Sequence, residues 1–224
     1  MSTRRLALAL VILVVAALFF LQPLLGVLVD WWWFQEIGYQ IVFTRELVTQ
    51  VLLFLIVGGL VGGTLYLNLR LAQRGLVPYP VVLRFAQGPR RVGITTPLRR
   101  LSLPVSLVLG TLAGLGATSA WNLVLQFLYR TPFGIKDPIF FRDVGFYVFT
   151  LPALSALLGL LYALAMVSFL MLIPVYALRG DIVVRPRRVA IEPAAGLHLA
   201  VLLALLFLLV RPEGLFGERR IDRV

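Results

Sequence analysis

The stretch LPALSALLGLLYALAMVSFLMLIPVYA, Leu151 to Ala177, runs its whole length without an Asp, Glu, Lys or Arg. About 20 helical residues, each rising about 1.5 Å, cross a hydrocarbon core of about 30 Å, so this run is long enough to span a bilayer. Thr150 precedes it as a cap, Pro152 sits in its first turn and Pro174 lies near its far end. Four further apolar runs share the chain, at 6–29, 47–67, 102–128 and 194–210, and a short polar tail follows at 211–224. The expected fold is therefore an all-α integral membrane protein. It would be a bundle of about five transmembrane helices with a short interfacial helix on the outer face.

Composition and charge agree with that reading. A chain of 224 residues with 60% hydrophobic content has more apolar surface than a soluble domain of its length can bury. The net charge is +11, and the excess lies entirely on one side of the runs. Segments 1–5, 68–101 and 177–192 carry 13 basic and 2 acidic residues, whereas 30–46, 129–150 and 211–224 carry 8 of each. Arginine held on one side is the positive-inside pattern, which places the N-terminus in the cytoplasm and the C-terminus outside. The same basic segments are expected to meet anionic headgroups rather than nucleic acid. With no cysteine, disulfides and thiolate metal sites are excluded.

The runs differ in detail. The first, after Arg4 and Arg5, lacks a cleavage signature and reads as a retained anchor, with a mild kink at Pro23. In the second, Gly58 with Gly62 and Gly59 with Gly63 are four residues apart, so each pair shares a helix face. Such faces admit a close helix neighbour, within the chain or in a homo- or hetero-oligomer, although glycine is also simply common in membrane helices. The third run opens at Ser102 as N-cap, carries Gly110 and Gly114 on a small face, and has Asn122 and Gln126 on one side near its outer end. Those amides could bond a neighbouring helix or line a polar cavity, and their place near the interface favours solvated or helix-bonded amides. The fifth run is short and holds His198, the only histidine, placed where its ring could bond water or a neighbouring carbonyl. The loop from Asn68 to Leu101, with seven Arg and no acid, reads either as a solvated connector or as a segment lying along headgroups.

Both segments on the neutral side are rich in aromatics. Trp31, Trp32 and Trp33 form an interfacial belt, and because neighbours on a helix are about 100° apart, at least one should face protein. In the second segment Asp137 before Pro138 reads as an N-cap with an N1 proline, and Gly145 as the end of a two-turn helix whose Arg142 and Asp143 meet water or each other. That helix is expected to cap the bundle against the tryptophans.

These two segments carry a resemblance. Trp33-Phe34-Gln35-Glu36-Ile37-Gly38-Tyr39, and Asp137-Pro138-Ile139-Phe140-Phe141-Arg142-Asp143-Val144-Gly145-Phe146-Tyr147 continuing to Pro152, are similar to segments of uncharacterised protein family 0182, large bacterial multi-pass membrane proteins. Trp33, Glu36, Gly38, Tyr39, Asp137, Pro138, Asp143, Gly145 and Tyr147 are its candidate outer-face motif. The resemblance implies further spans and a large extracytoplasmic domain in such proteins, so this chain is expected to be the membrane-embedded part, or a truncated copy, of a larger one. No catalytic, cofactor or metal residues transfer from it. The spans carry no central acid or base, and no nucleophile–base, paired-aspartate or metal motif occurs, so an enzyme is not expected. A transporter or channel component for a neutral or lipidic solute is the alternative.

Overall fold

The computed structural model describes residues 3–74, 80–85, 88–93, 95–185 and 188–210. The order is α1 (Thr3–Glu36), α2 (Gln40–Ala72), β1 (Pro80–Phe85), β2 (Gly88–Gly93), α3 (Thr95–Thr118), α4 (Trp121–Leu128), α5 (Leu151–Arg179), β3 (Ile182–Arg185), β4 (Arg188–Ile191) and α6 (Pro193–Val210). The protein is nearly all-α. Among the described residues four helical stretches are long and apolar enough to cross a membrane: Gln40–Ala72, Leu98–Thr118, Phe146–Arg179 and Pro193–Val210. The first apolar run lies in α1, a single 34-residue helix with Pro23 inside it.

The chain divides into two compact units, Met1–Val51 and Leu52–Val224. In the first, the aromatic segment is helical rather than a loop. Glu36 ends α1 and only three residues separate it from Gln40. Gly38, at φ 76°, makes that turn possible because a left-handed residue costs glycine nothing. Tyr39 N–H donates to Phe34 O at 2.9 Å and Gly38 N–H to Gln35 O at 3.2 Å, the paired bonds of a Schellman motif. Of the three tryptophans, Trp31 meets the buried Phe43 edge-on at 6.0 Å, and Trp33 meets Phe34 at 4.9 Å.

In the second unit, α2 from Leu52 onward packs on α3 and α5, and α5 packs on α6. One cluster joins Val57, Val61 and Leu65 of α2 to Leu109 and Ala113 of α3 and Leu160 and Leu164 of α5. The other joins Leu69 and Ala72 to Leu172 and Val175 of α5 and Leu199 and Leu202 of α6. Most other apolar side chains on these helices point outward, and only 11–22% of each span-length stretch is buried within the protein. Exposed apolar surface in that density is what a helix able to cross a membrane presents.

Three local expectations are corrected. Ser102 is not a cap: α3 begins at Thr95, and the Ser102 hydroxyl lies inside the helix, buried, donating to Arg99 O at 2.8 Å. A Ser–Leu–Pro pattern resembles a start signal, but Pro97 three residues into the helix serves that role earlier. The third run is also broken, since α3 stops at Thr118 and α4 restarts at Trp121, where Gln126 donates to Asn122 at 3.2 Å. Second, the arginine-rich loop is not a bare connector. It contains the antiparallel hairpin β1–β2, with Val81 opposite Val92, and a second hairpin β3–β4 pairs Val184 with Val189. Residues 75–79, 86–87, 94 and 186–187, and the tail 211–224, lie outside the described residues.

Third, Asp137 to Gly145 is a tight reversal, not a helix. Asp137 Oδ2 accepts from Phe140 N–H at 2.7 Å, Asp137 N–H donates to Arg142 O at 2.8 Å, and Lys136 bridges to Asp143 across the turn. Asp-Pro begins turns as readily as helices, because the same carboxylate bonds a nearby N–H in either. Gly145 is not a helix end: its φ is −58°, and the chain passes through it into a π-helical stretch, Phe146–Thr150, and on into α5.

Candidate functional site

Two arrangements concentrate polar chemistry. The first is a chain of side chains inside the span-length helices. Asn68 of α2 donates to Ser168 Oγ of α5 at 3.1 Å, and its Oδ1 lies 3.2 Å from His198 Nε2 of α6. His198 Nδ1 lies 2.8 Å from the hydroxyl of Tyr176 on α5. One direction satisfies all four groups. The Asn68 oxygen faces Nε2, so Nε2 carries the proton, and Nδ1 accepts from Tyr176 O–H. The imidazole thus ties three helices together: the neighbouring carbonyl expected from sequence is the side-chain amide of Asn68, and the Tyr176 hydroxyl is a second partner.

This chain floors a cavity of about 340 Å³, whose walls include Arg74, Tyr176, Arg179, Asp181, Glu192 and His198. Arg179 is held from several directions. Its Nε meets Asp181 at 3.0 Å, a terminal nitrogen donates to the Ala72 carbonyl, and the guanidinium stands 5.6 Å from the Tyr176 ring centre. Gly180, at φ 82°, lets the chain turn there: Asp181 N–H donates to Tyr176 O and Gly180 N–H to Ala177 O, both at 3.0 Å. That is the same cap geometry as at Gly38. Glu192 N–H donates to Asp181 O at 2.8 Å, which brings the two carboxylate-bearing residues to one rim.

The second arrangement is the reversal after α4. The Asp143 carboxylate accepts from Gly145 N–H at 2.7 Å, Gly134 N–H at 2.9 Å and Phe133 N–H at 3.1 Å. The Phe133 bond, then that of Gly145, hold its carboxyl below the ordinary 3.8, against a smaller opposing effect of burial. Tyr147 donates to Asp137 Oδ2 at 3.3 Å, and Arg142 lies over Phe146 at 5.3 Å. Asp137, Asp143, Gly145 and Tyr147 therefore belong to one hydrogen-bonded knot, with Pro138 in its turn. A Cβ on Gly145 would sit 2.8 Å from Asp143 Oδ1, so the knot closes around that glycine. Trp33, Glu36, Gly38 and Tyr39 lie at the α1–α2 turn of the other unit.

The glycines divide cleanly. Cβ atoms on Gly58 and Gly62 would stand 3.0 and 3.1 Å from the carbonyls of Gly110 and Ser106. One on Gly114 would stand 2.6 Å from Phe54 O. These positions form the α2–α3 contact. Gly59 and Gly63 have nothing within 4 Å. Among the described residues no group of three or more His, Cys, Asp or Glu is placed to hold a metal ion. Sequence reading missed Asn68, Ser168 and Tyr176. The available signal was that Asn68 and His198 both interrupt apolar periodicity near the basic ends of their runs.

The profile of an uncharacterised protein family, UPF0182, matches residues 7–219. Among similar proteins are a UPF0182 protein of Cupriavidus necator, 38% identical over 203 residues, covering 89% of this chain and 22% of that protein. One of Rhodococcus opacus is 38% identical over 216 residues, covering 93% of this chain and 21% of that protein, and one of Mycobacterium avium is 37% identical with the same coverage. No solved structure matches. The chain spans about a fifth of the length of these relatives. The two aromatic segments, the helix order and a profile match over almost the whole chain agree: this chain belongs to the uncharacterised protein family UPF0182.

Proposed function

We infer that this chain is the membrane-embedded part of a larger bacterial membrane protein, set in the plasma membrane with its arginine-bearing hairpins in the cytoplasm. Its job is to anchor and to present the knotted outer segments. The observation that carries this is the outward apolar surface of four span-length helices, which no packing within the chain covers. The one-sided arginine excess sets the orientation. Gly59 and Gly63, open on α2, are the face through which a further helix or a second copy would approach. The reading includes no reaction: the polar chain at His198 is neutral and fully bonded.

Because the chain has no cysteine, single substitutions Lys136→Cys and Gln87→Cys test the orientation with a membrane-impermeant thiol reagent on intact cells. Labelling at 136 and not at 87 is expected. The reverse pattern overturns the topology.

A second reading has one feature in its favour, an open apolar groove of about 890 Å³ between α5 and α6, lined by Tyr162, Met166, Phe169 and Phe207 among others. It suits a lipidic solute. Saturable flux of such a solute through liposomes holding the purified chain would promote this reading over anchoring.

A further inference from the structure

The order helix, hairpin, helix occurs twice: α2–β1–β2–α3 and α5–β3–β4–α6. The sequence repeats with it. Pro89-Arg90-Arg91-Val92-Gly93-Ile94 differs from Pro186-Arg187-Arg188-Val189-Ala190-Ile191 at one position. Upstream, Glu36-Ile37-Gly38-Tyr39 and then Val42-Phe43-Thr44 correspond to Asp143-Val144-Gly145-Phe146 and then Val148-Phe149-Thr150, with one residue fewer between them. Downstream, Pro97-Leu98-Arg99-Arg100-Leu101-Ser102-Leu103 aligns with Pro193-Ala194-Ala195-Gly196-Leu197-His198-Leu199. The three blocks recur in the same order and mark a tandem duplication; the hairpin block and the block that opens the following helix lie on matching elements, while the upstream block is a left-handed turn at Gly38 in one copy and a reversal with Gly145 at φ −58° in the other. Two spans separate the hairpins, so both lie on one side and the copies run in the same sense through the membrane. Transporter folds with parallel repeats use this arrangement, with binding sites where the copies meet.

Each copy has a cavity at the hairpin end of its two helices. In the first it is small, about 160 Å³, and mostly apolar, between the end of α2 and the start of α3 with Met171 and Val175 of α5 closing it, and Ser102 and Gln73 in its wall. In the second it is the cavity of about 340 Å³ over His198, which also takes in Arg74 from α2 of the first copy. His198 stands where the first copy has Ser102. On the same scaffold, the second copy supplies one guanidinium, two carboxylates and an imidazole, and the first copy adds the guanidinium of Arg74. The lining balances at two positive against two negative side chains, with His198 neutral. Arg179 and Asp181 pair with each other, and Arg74 and Glu192 add one charge of each sign, so this cavity suits a ligand bearing one charge of each sign rather than a net anion.

We propose that this cavity binds a phosphoethanolamine group. The phosphate meets Arg74 and Arg179, and the primary ammonium donates to Glu192 and Asp181. Guanidinium binds phosphate oxygens through paired N–H groups, and an ammonium with three N–H donors is what two acceptor-only carboxylates select. A quaternary ammonium offers them no donor. The ring of Tyr176 and the His198 chain hold Arg179 and the floor in place. The proposal concerns the larger cavity alone; it assigns the smaller one no ligand.

The test uses the purified 224-residue chain and native mass spectrometry, titrated with phosphatidylethanolamine, phosphatidylcholine and phosphatidylglycerol of identical acyl chains. Phosphatidylethanolamine is expected to bind about tenfold tighter than either of the others, the effect of one charge-assisted hydrogen bond. Glu192→Gln is expected to abolish the preference over phosphatidylcholine. Arg74→Gln is expected to weaken both lipids alike. Both residues are exposed, so neither change threatens the fold. Ser102→Ala, at the matching place in the first copy, should leave binding unchanged. Soluble phosphoethanolamine, tested in parallel, separates the sources: if it binds as tightly as the lipid, the ligand is a free metabolite carrying the group, and if not, it is the membrane lipid. Equal binding of all three lipids, or an unchanged preference in Glu192→Gln, overturns the proposal.

Discussion

His198 Nε2 lies 3.2 Å from Asn68 Oδ1, although 130 residues separate them in the chain. The bond joins α6 to α2, and Tyr176 and Ser168 extend it to α5. A polar contact between membrane helices contributes about 0.6 kcal/mol on average and up to about 1.7 kcal/mol. A double-mutant cycle of His198→Phe and Asn68→Leu, read by unfolding in mixed micelles, is therefore expected to give a coupling of about 0.5–2 kcal/mol. Each single change costs more than the pair's share, because it leaves a half-buried partner unsatisfied. Additive single effects would mean that the contact holds nothing together.

The α2–α3 contact predicts a contrast among glycines. A Cβ on Gly110 would lie 2.7 Å from Gly58 O and 2.9 Å from Gly62 Cα, both backbone atoms that cannot swing aside. Gly110→Ala is expected to destabilise the chain by about 1–3 kcal/mol, the cost of overpacking. Gly63→Ala meets open space and is expected to be neutral or slightly stabilising to the chain alone. Thermal melting in detergent distinguishes them, and equal melting temperatures would refute the contact.

The outer knot is expected to respond to acid with a definite sign. Asp143 has its folded pKa lowered beneath 3.8 by three backbone N–H donors. Its contribution is thus present above the unfolded value and lost as pH falls below 3.8 through the lower folded value. Carbon-13 NMR of the Asp143 carboxyl should show a midpoint below 3.8, and Asp143→Ala should open the 131–145 segment to limited proteolysis at neutral pH. A midpoint at or above 3.8 would contradict the three-bond arrangement.

Gly180 closes α5 and aims Asp181 at the cavity rim. At φ 82° any other residue carries a left-handed penalty of about 1–2 kcal/mol. Gly180→Ala is expected to lower stability by about that amount, and Gly180→Asn by less, because Asn tolerates the left-handed region. If Ala and Asn prove equivalent to Gly in melting temperature, the turn is not as described.

Much of the fold was legible because lipid imposes simple arithmetic. An uncharged run such as Leu151 to Ala177 has one stable state in hydrocarbon, a helix whose backbone bonds are internal. The Gly58, Gly62, Gly110 and Gly114 face was legible as a face but not as a pair, since spacing shows what shares a side and not what lies opposite. The reversal at Asp137 was misread because Asx turns and N-caps use the same residues in the same order.

Sequence alone determined that α2, α5 and α6 are helices and that the arginine excess falls in alternate segments between the apolar runs, because local composition and the order of charges need no knowledge of neighbours. Only tertiary structure decided that Asn68, Ser168, Tyr176 and His198 form one chain, and that Arg74 shares a cavity with Glu192. Only His198 stood out in the sequence, and nothing in its own helix names its partners. Their chemistry arises when packing brings three helices within hydrogen-bond distance, where an unsatisfied polar group costs more than in water.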